Sequence, residues 1–345
     1  MKRNMKQWVK EQIGANVKKA MPVLSFPSNQ LMGITVKELI SDSDLQSKGM
    51  KMIADRCDTA ASLSMMDLSL EAEAFGSKIA VSDVEVPTVV DKIISSKEDA
   101  EALEVPEIGA GRTGIYIDAI GKAVGMIKDR PVFAGVIGPF SLAGRLMDMT
   151  EIMVNCYIDP EMVHITLEKA TEFIIKYIKG YKETGANGVV IAEPAAGLLS
   201  PELNAEFSVK YVKRIVDEVQ DEEFLVIYHN CGNTVPLIGD ILEVGAGAYH
   251  FGNAIKMIDI LDKIPSDVLV CGNVDPVKQF INGTPGSVRE NTLDIMYECC
   301  PSYDNFIISS GCDITSLAKW ENIDAFFAAV AEYYTDIAAD DNKAA

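Results

Sequence analysis

The chain has 345 residues, 48% of them hydrophobic and 24% charged, and its 51 acidic against 31 basic side chains give a formal net charge of −20. Such an excess of negative charge argues against the cationic surfaces that nucleic acids and anionic membranes require, and leaves a small molecule or a selected protein as the expected partner. The length suits one large barrel or two medium domains, the seven scattered cysteines read as reduced thiols of a cytoplasmic protein, and no apolar run approaches the roughly 20 residues of a membrane-spanning helix.

In chain order, the polar opening "MKRNMKQWVKEQIGANVKKA" is followed by two β-like pieces, "MPVLSF" (21–26) and "AASLSMMDLSLEAEAFG" (60–76). Residues 85–128 read as an irregular insertion or as helices ahead of the next strand. From about residue 130 one pattern repeats: a short β-rich run, a Gly/Pro/Asn turn, then an amphipathic helical segment. The runs are "PVFAGVIGP" (131–139), "GVVIAEP" (188–194), "FLVIYHNCG" (224–232), "AYHFGN" (248–253), "VLVCGNVDP" (268–276) and "FIISSGCDI" (306–314). Between them, 159–185 predicts a helix with Pro160 in its first turn and Gly185 as its stop, and 200–220 predicts another with Ser200 as N-cap ahead of Pro201. Strand–helix alternation means parallel strands joined by crossover helices. The count of about eight strands favours an α/β fold of the (β/α)8 TIM-barrel type with an N-terminal helical extension, 1–345 forming one domain; a doubly wound open sheet is the runner-up.

Glu193, His229, Cys231, Asn253, Asn273 and Cys312 all fall at the C-terminal ends of these runs. In a barrel those ends converge on one mouth, where active sites are built. His229 and Cys231 are two apart and share a face of their strand; Cys312 occupies the matching place in its own. Two thiolates and an imidazole make three protein ligands for a tetrahedral zinc with one open position, the catalytic rather than the closed structural pattern. The set is formally neutral with Zn2+, so an incoming thiol could bind there as thiolate. Asn253, Asn273 and His250 are read as substrate contacts at the mouth. Cys57, Cys156, Cys271, Cys299 and Cys300 read as small buried hydrophobes, and His164, inside an apolar helical run, as a packing residue. A zinc-stabilised scaffold would instead need a fourth protein ligand, with Cys271 or Glu193 the candidate.

"IYHNCGN", followed some eighty residues later by "SSGCDI", resembles the H-x-C and distal G-C zinc signature of the methylcobamide:coenzyme M methyltransferases, a branch of the uroporphyrinogen decarboxylase superfamily. "ANGVVIAEPAAGLLSPELNAEF" looks like that family's strand-carboxylate-Pro segment, where Asp is more usual than Glu, and "CGNVDP" resembles its G-N-V strand end. The match covers residues 130–335, with "MPVLSF" and "SLEAEAFG" in the expected places upstream. The resemblance implies a (β/α)8 barrel and zinc held by His229, Cys231 and Cys312, with Glu193 near the metal as a displaceable ligand. It implies transfer of a methyl group between a corrinoid protein and a zinc-activated small substrate, either a thiol such as coenzyme M or a methyl donor. No cobalamin-binding D-x-H-x-x-G motif occurs in the chain, so the methylcobamide is expected in trans, on its own protein. A decarboxylase-like lyase remains the alternative. The decarboxylase subfamily has an Arg-rich N-terminal motif, whereas this chain has seven arginines and none between Arg3 and Arg56.

Overall fold

A computed structural model describes residues 3–344, with side chains through residue 339. Seven parallel strands run in sequence order around one curled sheet: β1 (Ser62–Leu63), β2 (Val132–Ile137), β3 (Gly188–Ala192), β4 (Leu225–Asn230), β5 (Ala248–Phe251), β6 (Leu269–Val274) and β7 (Phe306–Ser310). Residues 20–24 supply the eighth stave. The Met21 amide donates to the Ile308 carbonyl (3.1 Å), the Ile314 amide to Val23 (2.9 Å), and the Ala60 amide to Ala20 (2.9 Å), so this segment bridges β7 back to the chain entering β1. The expected (β/α)8 barrel is therefore the fold, and the open doubly wound sheet is not. "MPVLSF" and the long upstream run contribute less regular strand than expected. The first makes a single β-bridge, Leu24 to Ile314, and the second yields two strand residues before turning into the helix Leu70–Ala74.

Alternation along the strands sorts the core into two shells. Leu225 and Ile227 of β4 point into the barrel, while Val226 and Tyr228 meet the surrounding helices. The same parity carries His229 inward at the top of β4, and likewise His250 after Ala248 on β5 and Ser309 after Ile307 on β7. The helix Met5–Gly14, capped by Asn4 accepting from the Gln7 amide (2.8 Å), closes the opposite end. Its Trp8 enters the barrel interior, 6.0 Å from Phe133 between ring centroids.

The two predicted crossover helices form as read. Pro160–Glu183 begins with Pro160 in its first turn, its Met162 amide bonded to Asp159, and stops before Gly185 at φ +87°, a left-handed conformation that glycine adopts without a Cβ clash. Ser200 caps Pro201–Asn204 through the Leu203 amide, and a π-turn at Ala205–Val209 leads into Lys210–Val219. Within 85–128 the chain forms a short strand, Thr88–Val89, paired antiparallel with Ile79–Ala80 just upstream, and the helices Lys97–Ala102 and Thr113–Met126.

Candidate metal centre

The C-terminal strand ends bring His229, Cys231 and Cys312 together: one ligand atom of each lies within 4.8 Å of the others, the only such group of three among the described residues. His229 Nε2 lies 3.1 Å from Cys231 Sγ. A tetrahedral zinc with bonds of about 2.0–2.3 Å spaces its ligands by roughly 3.3–3.8 Å; the two-sulfur, one-nitrogen donor set suits that ion, and the 3.1 Å contact is slightly closer than a bound ion would hold the pair. The two thiols share a hydrogen bond. Cys231 is pushed up by its hydrogen bond with Cys312 and then by burial, whereas Cys312 is pulled well below the ordinary thiol range by the same bond and by His229. The thiolate is the form that binds metal.

Behind the cluster lies a buried polar chain that faces no solvent. His229 and His250 are register partners on β4 and β5, and their Nδ1 atoms lie 2.7 Å apart. The Nε2 of His250 lies 2.8 Å from Ser309 Oγ, which in turn donates to the Met21 carbonyl at 2.8 Å. Burial, with the neighbouring imidazole, holds His250 well below the usual histidine range, so it is neutral. The His250 expected as a substrate contact lies behind His229 in this structure. Its ring is 1% exposed and both nitrogens are engaged, so it supports a ligand from within the barrel.

Glu193 is fully buried at the end of β3, but it stands outside the ligand group. Its carboxylate accepts from the Phe140 (3.0 Å) and Ser141 (2.6 Å) amides, the free N–H groups at the start of helix Pro139–Met147. Burial nonetheless pushes its pKa up to about 7, against those hydrogen bonds. Cys271 also stands apart, buried in the barrel interior, so neither candidate for a fourth protein ligand joins the three. Asn273 donates its amide to the carbonyls of Gly252 (3.1 Å) and Ile255 (2.8 Å), fixing the loop after β5. With Asn253 it lines a cavity of about 360 Å³ that faces helix Pro285–Cys299. The expected substrate contacts at 253 and 273 are thus loop-holding and cavity-lining residues beside the cluster. His164 is a packing residue as read, stacked on Phe207 and bonded to Tyr211 (2.8 Å).

Sequence reasoning passed over a second polar group on the same rim. Arg112 pairs with Asp67 (2.6 Å) and Glu73 (2.7 Å), and the Tyr116 hydroxyl donates to Asp67 (2.9 Å). Glu71, four residues beyond Asp67, accepts from the Ile137 amide (3.0 Å), and burial pushes it to about 7. Asp313, next to Cys312, accepts from the Met66 amide (2.8 Å), which ties this group to the thiol cluster. The acidic letters of "MMDLSLEAEAFG" were the available signal, hidden because a strand reading gave them no reason to converge.

The family model described as uroporphyrinogen decarboxylase (URO-D) matches residues 15–333. A methylcobamide:CoM methyltransferase, MtbA of Methanosarcina acetivorans, is 28% identical over 263 residues, 74% of this chain and 75% of its own. A methylated-thiol–coenzyme M methyltransferase of Methanosarcina mazei is 26% identical over 82% of this chain and 77% of its own. A uroporphyrinogen decarboxylase of Alcanivorax borkumensis is 25% identical over 86% and 85%. Among solved structures, a methyltransferase from Methanosarcina mazei superposes with a TM-score of 0.84 at 21% identity, covering 96% of this chain and 99% of that one. A B12-independent methionine synthase from Shewanella gives 0.62 at 12% identity over 95% and 99%. At these identities the structural likenesses speak for the barrel fold.

Proposed function

The chain belongs to the uroporphyrinogen decarboxylase family, and we propose that it is a zinc-dependent, corrinoid-dependent methyltransferase of the methylcobamide:coenzyme M type. It moves a methyl group between a corrinoid protein and a small substrate, either a thiol such as coenzyme M or a methyl donor. The observation that carries the reading is the gathering of His229, Cys231 and Cys312 at one barrel mouth, in a chain whose relatives include enzymes named for methyl transfer to coenzyme M. A decarboxylase would give those three soft ligands no common purpose. A zinc-stabilised scaffold would need a fourth protein ligand, which Cys271 and Glu193 do not provide.

His229, Cys231 and Cys312 would hold the ion, and bound there zinc would supply Lewis acidity, lowering the pKa of an incoming thiol or polarising the heteroatom of a methyl donor. The residues around it keep the ligands placed. His250 backs His229, and the loop fixed by Asn273 packs beside Cys312, since Gly311 lies so close to Asn253 that a β-carbon at 311 would come within 2.7 Å of its Oδ1. Glu193 holds the start of helix Pro139–Met147 against the rim, and its raised pKa would let it carry a proton near neutrality.

The corrinoid would arrive on a separate protein. Leu198, Val277 and Leu317, exposed by 70%, 53% and 49%, lie on the segments that follow β3, β6 and β7, the first two in short helical turns, and would offer apolar contact to such a partner. No helix among the described residues is long and apolar enough to cross a membrane, and we place this single-domain enzyme in the cytoplasm, away from nucleic acid. The test is demethylation of methylcobalamin by the zinc-loaded protein with a panel of thiols, repeated with a methylated corrinoid protein. Transfer to at least one thiol, faster with the protein-bound corrinoid, is the expected result; no transfer with either form overturns the reading.

A further inference from the structure

We infer that Ser309 and His250 set the proton of His229 on Nδ1, so that its Nε2 lone pair is delivered to the metal position. The argument starts from a carbonyl, which can only accept. Met21 O lies 2.8 Å from Ser309 Oγ, so the single hydroxyl hydrogen of Ser309 points at Met21. Ser309 Oγ must then accept from its other neighbour, and that neighbour, His250 Nε2 at 2.8 Å, must carry a hydrogen. Buried, with only an imidazole and a hydroxyl against its ring nitrogens and no carboxylate to balance a charge, His250 is neutral, and a neutral imidazole has one N–H. His250 Nδ1 is therefore bare and accepts across the 2.7 Å contact from His229 Nδ1. His229 in turn has its hydrogen on Nδ1 and a free lone pair on Nε2, the atom that lies 3.1 Å from Cys231 Sγ.

Reversing the chain fails at its far end. If Ser309 donated to His250, two bare oxygens would face each other at 2.8 Å in a site where Ser309 is fully buried and no water could intervene. It would also put a hydrogen on His229 Nε2 and turn that ligand away from metal. His250 and Ser309 are thus positioning residues that act through His229, and the anchor of the chain is the main chain of the stave at residues 20–24. Orienting a metal-bound imidazole through its other nitrogen is worth 10–100-fold in metal affinity in general.

The inference rests on the zinc reading, and the experiment separates the two. Nitrogen NMR of the histidine rings in the purified protein, with His164→Gln to leave only the two rings of interest among three histidines, should find His229 protonated on Nδ1 and His250 on Nε2. Ser309→Ala should weaken zinc binding, read by chelator competition, by 10–100-fold and allow the Nε2–H form of His229 to appear. His250→Phe should do at least as much. His250→Gln, whose amide can accept on one side and donate on the other, should recover part of the loss. A role in stability alone would lower the melting temperature without changing the ring protonation. His250 protonated on Nδ1 in the unaltered protein, or zinc affinity within twofold of it in Ser309→Ala, overturns the inference. Should His250→Phe fail to fold, those two measurements still decide. A protein that binds no zinc would sink the metal reading, while the ring protonation would still uphold or overturn the proton arrangement.

Discussion

Gly197, on the loop beyond β3, lies against the main chain of Cys231: a β-carbon at 197 would stand 1.9 Å from the Cys231 carbonyl oxygen and 2.9 Å from its carbonyl carbon. A side chain could swing away from such a clash, but a peptide group can move only with its loop. Gly197→Ala should therefore displace the thiol ligand, weakening zinc binding at least ~10-fold and lowering stability by about 1–3 kcal/mol, as overpacking does. Chelator competition and thermal melts read the two effects. Unchanged zinc affinity would mean that the loop absorbs the methyl without moving Cys231.

Cys231→Ala and Cys312→Ala should each lose most of the metal while the barrel persists. The strand ladder and the two-shell core do not run through these side chains. Metal analysis beside far-ultraviolet circular dichroism is the check, and full zinc occupancy in both variants would refute the three-ligand centre.

Glu71 gives a pH dependence whose sign follows from its surroundings. Burial raises its pKa from 4.5 to about 7, with Asp67 pushing the same way and Arg145 and the Ile137 amide opposing. The folded state thus holds a proton that the unfolded chain has released between those values, so this group's contribution is full below about pH 4.5 and is lost as pH rises towards 7. At about 1.4 kcal/mol per tenfold change in proton affinity, the contribution is on the order of 3 kcal/mol. Urea unfolding at pH 5 and pH 8 should therefore differ less in Glu71→Gln than in the unaltered protein; equal differences would show that the carboxyl titrates normally.

For Glu193, substitution by Gln removes the charge but keeps one acceptor for the Phe140 and Ser141 amides. Turnover should fall by roughly 10-fold or more if the carboxyl handles a proton, while bound zinc stays near one per chain. Retention of full methyl-transfer activity would assign Glu193 to holding the helix alone.

Leu198→Asp with Leu317→Asp tests the docking surface. Transfer from a methylated corrinoid protein should slow by about 10-fold or more, as expected when buried anchors are lost, whereas transfer from free methylcobalamin should not change. Equal slowing with both would place these residues in the reaction itself.

The barrel was legible because each strand announces itself by an apolar run ending in a turn, and the grouping of His229 with Cys231 because the two lie two residues apart at the end of β4. What the sequence hid depends on contacts between distant strands. His250 carries the same strand-end letters as a substrate contact, and only its pairing with His229 across β4 and β5 reveals where its nitrogens go. Glu193 reads as a mouth carboxylate, yet the amides of a helix that begins 54 residues earlier claim its oxygens. Asn273 likewise looks free until the Gly252 and Ile255 carbonyls are found opposite its amide.

The stave at residues 20–24 has a consequence for the order of assembly. It leaves the ribosome long before its partner β7, and the bonds between them join residues nearly 290 positions apart. Closure of the ring must wait for the last strand, a long-range pairing that is slow to form because so much chain has to be ordered first. Cys312 arrives in that same stretch, and so does the Ser309 hydroxyl that ties His250 to Met21. A nascent chain stopped short of residue 309 would present His229 and Cys231 without Cys312 and without the Ser309 anchor behind His250. The complete set of three soft side chains thereby exists only once the cylinder has shut.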